Sequence, residues 1–182
     1  MVKHARRAQG DQVLTLSQRR AFMTLSLKER RKMLAAQAER MVTHYEQESE
    51  RSEREVWQGG ILARPEASIP RRGEIWLVNF DPTIGTEIRK TRPAVVVSSD
   101  AVGRLPIKLV APVTDWKEHF APNIWHVRLD PNPTNRLTKV SAVDALQLRG
   151  MDHRRFVRKL GQVSPTTMEE IVLAIAAIVE YP

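Results

Sequence analysis

Between residues 71 and 150 the chain is broken into apolar runs of roughly five to eight residues, each stopped by proline, glycine or an Asx-rich turn. The runs are Glu74 to Phe80, Pro93 to Ser99, Ile107 to Thr114, Ile124 to Leu129, Thr138 to Ala142 and Asp144 to Leu148. They are too short for stable helices and rich in β-branched residues, so each reads as a strand. Glu74 to Phe80 is apolar at nearly every position, as in a strand covered on both faces. Asp81-Pro82, Gly103, Pro106 and the stretch Asp130 to Asn135 supply the turns. About six strands at this spacing imply a mainly β, α+β fold: a small, strongly curved antiparallel sheet or SH3-like barrel.

Helical signals flank this region. Ser26-Leu27-Lys28-Glu29 fits a capping box opening a helix to about Glu48, with Leu27, Leu34, Ala38, Met41 and Tyr45 on one face. A shorter helix is expected over Leu16 to Leu25, with Ser17 as a candidate cap. Asp152 to Leu160 is basic and helix-compatible. Thr166-Thr167-Met168-Glu169 is expected to cap a C-terminal helix that packs on the sheet through Ile171, Val172, Ile175 and Val179. The long N-terminal helix has no apolar partner in its own neighbourhood and must dock elsewhere.

The expected organisation is a basic arm over 1–15 with the composition of a disordered segment, a helical and then extended segment over 16–62, a linker over 63–70 and a β domain over 71–182. Charge follows these divisions. The net charge is +8 and the pI about 10.3. Residues 1–45 carry ten Lys/Arg against three Asp/Glu, residues 46–70 three against six, and residues 71–182 sixteen against twelve. A short acidic strip, Glu46 to Glu55, thus separates two basic regions. With Trp57 after it, the strip reads either as an extended peptide that wraps a partner or as a solvated linker. The excess of positive charge points to a polyanionic partner such as nucleic acid.

The chain has no cysteine, which excludes disulfides and thiolate metal sites. No nucleotide-binding glycine loop or His-Glu-x-x-His signature occurs, so no cofactor and no metal is expected. No apolar run reaches the length of a membrane span, and no secretory signal follows Met1, so the expectation is a cytoplasmic protein with no membrane partner. His119, His126 and His153 are scattered and read as structural or surface residues.

Chemistry concentrates in Gly85 to Pro93, a connector between the first two strands. Arg89, Lys90 and Arg92 gather positive charge, and Pro93 biases Arg92 toward extended backbone at the strand entrance. Arg92 offers planar paired donors to a phosphate, and Glu87 is a carboxylate near enough in sequence to act as a base. Thr114 ends its strand, where its hydroxyl is free to donate. From the residues alone, passive phosphate binding and phosphoryl-transfer catalysis stand equal.

These residues resemble a family. Arg72-Gly73-Glu74-Ile75-Trp76, Asp81-Pro82-Thr83-x-Gly85-x-Glu87, Arg92-Pro93-Ala94-Val95-Val96-Val97-Ser98, Val113-Thr114 and Ser141-x-Val143-x-x-x-Gln147-Leu148-Arg149-x-x-Asp152 are similar to the MazF/PemK type of toxin. The resemblance implies a homodimeric, ribosome-independent endoribonuclease (mRNA interferase) that cleaves single-stranded RNA without a metal. The 2′-hydroxyl attacks the adjacent phosphorus and leaves 2′,3′-cyclic phosphate and 5′-hydroxyl ends. It implies Arg92 and Thr114 as the catalytic pair, Glu87 as an accompanying carboxylate, and RNA contacts from Arg89, Lys90, Thr91, Ser98 and Gln147. One departure is Asn135-Arg136 where the family has an Asn-Gly turn; another is Val140 before Ser141.

A second resemblance covers residues 16 to 62, which look like the toxin-binding tail of a MazE-like antitoxin, with Leu34, Met41, Tyr45 and Trp57 as its contacts. The chain then reads as a toxin joined to an inhibitory antitoxin-like segment that binds within the chain or by exchange across a dimer. The acidic strip would compete with RNA for the Gly85–Pro93 loop. The alternative is a non-catalytic toxin–antitoxin regulator that binds DNA or a protein target such as gyrase.

Overall fold

The structure, a computed structural model, describes residues 14–56 and 69–181, and of 46–56 the backbone alone. The arm before residue 14, Trp57 and most of the expected linker lie outside the described residues. Among the described residues two helices come first, α1 (Leu16–Thr24) and α2 (Leu27–Val56). Seven strands follow: β1 (Glu74–Asn79), β2 (Thr91–Val96), β3 (Ile107–Asp115), β4 (His126–Leu129), β5 (Ser141–Asp144), β6 (Arg149–Asp152) and β7 (Phe156–Gln162). Helix α3 (Pro165–Ile178) follows β7.

The strands form one antiparallel sheet in the order β4-β5-β3-β2-β1-β7, with β6 pairing on β3. Nine-residue β3 is its spine. Along one edge it pairs with β2 through Ala94↔Pro112 to Val96↔Val110; along the other it pairs first with β6 and then with β5. Having two successive partners on one edge makes the sheet bend. It remains open, so of the two expected forms the bent sheet is the one observed.

Alternation along the strands sends side chains into two cores. Ile75, Val95, Val113 and Val143 face α3, which contributes Met168, Ile171 and Ala174. Trp76, Val78, Ala94 and Val96 face the other way, against Val110, Met151 and Phe156. Strand β1 is thus buried on both faces, as its unbroken apolar run requires. Burial of such side chains is worth about 1.5–3 kcal/mol each.

Several boundaries differ from the sequence expectation. The runs Thr138–Ala142 and Asp144–Leu148 are not two strands. They contribute a single strand, β5, and a helical turn over Ala145–Gln147 capped by Asp144, whose carboxylate accepts from the Leu146 N–H at 3.1 Å. The basic piece Asp152–Leu160 is not an α-helix; after a single 3-10 turn at His153–Arg155 it forms β7. Strand β7 lies at the sheet edge with two register irregularities against β1, so its apolar residues do not alternate cleanly. Helix α3 is capped by Ser164, with Pro165 in the first turn, rather than within Thr166–Glu169. Its buried stripe is Met168, Ile171 and Ala174, while Val172 and Val179 are exposed. Thr15 caps α1 in place of Ser17.

The capping box of α2 forms as expected: the Ser26 N–H donates to Glu29 at 3.0 Å and the Glu29 N–H to Ser26 Oγ at 3.3 Å. The helix continues to Val56, so the acidic strip from 46 is helical up to that residue instead of extended. It contains neither glycine nor proline, and nothing in its backbone chemistry stops a helix. α2 docks on the turn Asp100–Val102. Ala38 is buried there, Leu34 and Tyr45 are half-buried, and an ion pair joins Glu39 to Arg104 at 2.7 Å. Met41, expected as a contact, is 41% exposed.

Candidate active site

The connector from β1 to β2 is tied down at both ends. The Phe80 N–H donates to the Lys90 carbonyl at 3.0 Å, and the Lys90 N–H to Asp81 Oδ1 at 3.0 Å. Lys90 takes a left-handed conformation (φ 68°) that turns the chain into β2, and Gly85 (φ 61°) turns the loop tip. Further along, the Ile88 N–H donates to Gln147 Oε1 at 2.6 Å, and Gln147 is itself held by Asp144 at 3.2 Å.

Where β2 begins and β3 ends, these constraints produce a groove of about 350 Å³. It is lined by Lys90, Thr91, Arg92 and Pro93 from one strand and by Val113, Thr114 and Asp115 from the next. Leu137, Thr138, Lys139 and Ser141 form the far wall. Carrying the β2–β3 register two residues past Ala94↔Pro112 puts Arg92 across from Thr114. Both stand on the face of the sheet opposite to α3, by strand alternation. The half-buried Arg92 is steered by its Nε, which donates to the Arg89 carbonyl at 3.1 Å.

Three cations, Lys90, Arg92 and Lys139, share this groove with one carboxylate, Asp115. Lys139 donates to Asp115 at 2.7 Å. That hydrogen bond, with the charges of Lys139, Lys117 and Arg92, holds the Asp115 carboxyl below the usual carboxylate range against the opposing effect of burial. The groove is therefore a positively charged slot containing a planar guanidinium, a hydroxyl and an ionised carboxylate, a set suited to holding and attacking a phosphodiester.

The expected site residues divide into three groups. Arg92, Thr114, Lys90 and Thr91 line the groove. Arg89 borders it through its carbonyl, while Glu87 and Gln147 lie outside it and build the loop. Glu87 accepts from Arg149 and from the Ile84 N–H, each at 3.3 Å. Arg149 in turn donates to the Phe80 carbonyl at 2.6 Å and lies over the Phe80 ring. Ser98 stands past the other end of β2, about 20 Å along the strand from Arg92 at ~3.3 Å per residue. There its hydroxyl accepts from the Leu109 N–H at 3.3 Å. Its assignment to RNA is not supported by this placement.

Sequence reasoning missed Asp115 and Lys139, and named Ser141 only as part of the family pattern. Asp115 directly follows Thr114 and was the available signal. The wall from Leu137 to Ser141 is positioned by a turn at Asn132–Arg136. Asn135, buried, donates to the Asp130 carbonyl at 2.8 Å and accepts from the Leu137 N–H at 3.0 Å. Arg136 takes the left-handed conformation (φ 53°), so the turn is kept although arginine replaces the glycine of the Asn-Gly pattern.

His126 is structural. It stacks on Phe120 at 3.8 Å and lies 4.0 Å from Asp144, and burial lowers its basicity despite the carboxylate. Among the described residues, no group of three His, Cys, Asp or Glu side chains is placed to hold a metal, and no helix is long and apolar enough to cross a membrane.

Fold and groove together define a small α+β protein with a cationic slot at the end of a β-hairpin. Comparison with known proteins agrees. The family of PemK-like, MazF-like toxins of type II toxin–antitoxin systems matches residues 71–179, and the chain belongs to it. Endoribonuclease MazF9 of Mycobacterium tuberculosis is 35% identical over 107 residues, covering 56% of this chain and 88% of that protein. Endoribonuclease PemK of Escherichia coli is 36% identical over 126 residues, covering 67% of this chain and 90% of that protein. The crystal structure of MazF (Form-I) from Deinococcus radiodurans superposes with a TM-score of 0.53 at 25% identity, covering 62% of this chain and 97% of that one.

Proposed function

We propose that the chain is an endoribonuclease that cleaves single-stranded RNA in the β2–β3 groove. The observation that carries this reading is the placement of Arg92 and Thr114 in one cationic slot; relatives named endoribonucleases support it. In the proposed reaction the RNA 2′-hydroxyl attacks the adjacent phosphorus and the bond to the 5′ oxygen breaks. The products are a 2′,3′-cyclic phosphate and a 5′-hydroxyl. Arg92 neutralises the phosphate oxygens as negative charge builds, and Thr114 donates to the same group. Asp115 takes the proton of the attacking hydroxyl, and its partner Lys139 supplies one to the departing 5′ oxygen. Asp115 replaces Glu87 in this role because Glu87 is paired with Arg149 away from the groove.

The proposal extends to regulation. The α2 dock lies at the Asp100–Val102 turn, and neither that turn nor any residue of α2 lines the groove. Inhibition by the N-terminal segment is therefore proposed to act by exchange between copies in a homodimer. From Leu34 the helix runs about 33 Å to its end at ~1.5 Å per residue, enough to cross to a neighbour.

Incubating residues 65–182 with RNA in EDTA and mapping the cut ends tests the chemistry. Cyclic phosphate ends are expected. RNA that stays intact and bound would favour a non-catalytic regulator.

A further inference from the structure

A second group of cations lies at the other end of the β2–β3 hairpin, beneath α2. A cleft of about 420 Å³ is lined there by Arg31, Lys32 and Ala35 of the helix and by Arg72, Asp100 and Ala101 of the domain. Three cations share this lining with one carboxylate, and that carboxylate is already engaged: Asp100 Oδ1 accepts from the Arg72 N–H at 2.8 Å. Behind the cleft Lys108 is 2% exposed, its ammonium donating to the Gly103 carbonyl at 3.0 Å. Burial lowers the basicity of both Arg72 and Lys108; Asp100 opposes this in each, and the neighbouring Arg31 charge lowers Arg72 further. Next to Arg31 on the helix, the Nε of Arg30 is buried without a hydrogen-bond partner. Like charges gathered at a partly dry seam destabilise it unless an anion compensates them.

We infer that this seam is an anion site distinct from the groove, taking a phosphoryl group, free or carried on a nucleotide, between α2 and the Asp100 turn. The Arg72 guanidinium also donates to the Val97 carbonyl; its remaining N–H groups and those of Arg31 supply planar donors, and Lys32 a point charge. Half of the lining belongs to the helix and half to the domain. A bound phosphate therefore ties the N-terminal segment to the domain and biases where that segment sits.

Titration calorimetry with inorganic phosphate at constant ionic strength tests this in the full chain carrying Arg92→Ala, which removes the main phosphate donor of the groove. Saturable binding is expected, weakened about tenfold or more in the double variant Arg31→Gln, Lys32→Gln, as loss of charge-assisted bonds requires. Both residues are exposed on the helix, so the variant should fold. Asp100→Asn keeps an acceptor for the Arg72 N–H and removes the opposing charge, so it should tighten binding. Adenosine monophosphate in place of phosphate separates the sources: equal affinity identifies the free anion as the ligand, and tighter binding a nucleotide. No saturable binding, unchanged affinity in the double variant, or no tightening in Asp100→Asn would overturn the assignment.

Discussion

Arg92 at the start of β2 and Thr114 near the end of β3 stand across from each other on one face of the sheet, 22 residues apart in the chain and joined only by the hairpin register. Each is fixed by strand backbone, Arg92 further by the bond from its Nε to the Arg89 carbonyl. Such a pair is held in place before any substrate arrives.

Arg92→Ala and Thr114→Ala should each lower cleavage of a short RNA by about 10²-fold or more while leaving the circular dichroism and melting temperature close to those of the parent. Arg92→Lys should restore little, because a lysine cannot present paired planar donors. Near-parental cleavage in either alanine variant would remove that residue from the mechanism.

Asp115→Asn and Glu87→Gln separate the two carboxylates. Loss of a general base lowers rates by about 10²–10⁴-fold, and that loss is expected for Asp115→Asn. Glu87→Gln removes the Arg149 contact and should act mainly on KM through the loop. Because Lys139 holds the Asp115 carboxyl low, Asp115 stays ionised down to acid pH. The wild-type rate should then show no acid limb between pH 5 and 7, an interval above its unperturbed value of about 3.9. If the strong loss of kcat falls on Glu87→Gln instead, the assignments exchange.

Deleting residues 1–64 should raise cleavage. If the segment inhibits across two copies, the full chain should gain activity on dilution as the dimer dissociates, whereas the deletion protein should show no such gain. Equal activity of the two proteins at every concentration would exclude inhibition by the segment. The family match covers residues 71–179, and the relatives are matched over 88% and 90% of their own length, so the shortened protein is expected to fold.

Glu74 controls stability in acid. Burial alone would raise its pKa, but hydrogen bonds from Lys159, the Arg71 backbone and Trp76 outweigh it and hold the carboxyl below its ordinary value. Its contribution is complete above the unfolded value of about 4.3 and is lost as pH falls through the lowered folded value. Glu74→Gln should therefore destabilise the protein at pH 7 by about 1.5–3 kcal/mol, a deficit that shrinks below pH 4. Denaturant melts at the two pH values measure it, and a deficit independent of pH would show that packing and not charge is responsible.

Gly161→Ala should destabilise the fold by about 1–3 kcal/mol or more. A Cβ at this position would lie 2.4 Å from the Thr134 carbonyl oxygen and 2.5 Å from that of Asn135, backbone atoms that have little room to move. The same turn supports the Leu137–Ser141 wall, so cleavage should fall as well. A melting temperature equal to that of the parent would show that the turn yields freely.

The apolar runs Ile75–Phe80, Ala94–Val97 and Ile107–Val113 made the strands at the centre of the sheet legible, because they are too short for helices and rich in β-branched residues. The Ser26–Glu29 capping box was equally plain, since a helix start depends on residues three apart. Strands β6 and β7 were hidden: four residues paired to β3 and an edge strand with shifted register leave no clean alternation. At the site, the Arg92-Pro93 loop and Thr114 announced themselves by residue type, Thr114 with the aid of family resemblance. The grouping of Asp115 with Lys139 and Ser141 did not, because it depends on β5 pairing with β3 across some 25 intervening residues. Glu87 has the chemistry of a base, but its direction was set by Arg149, 62 residues away. Local backbone preference and burial are written into neighbouring residues. Which charge meets which depends on strand register and loop anchoring, contacts between segments that no local pattern records.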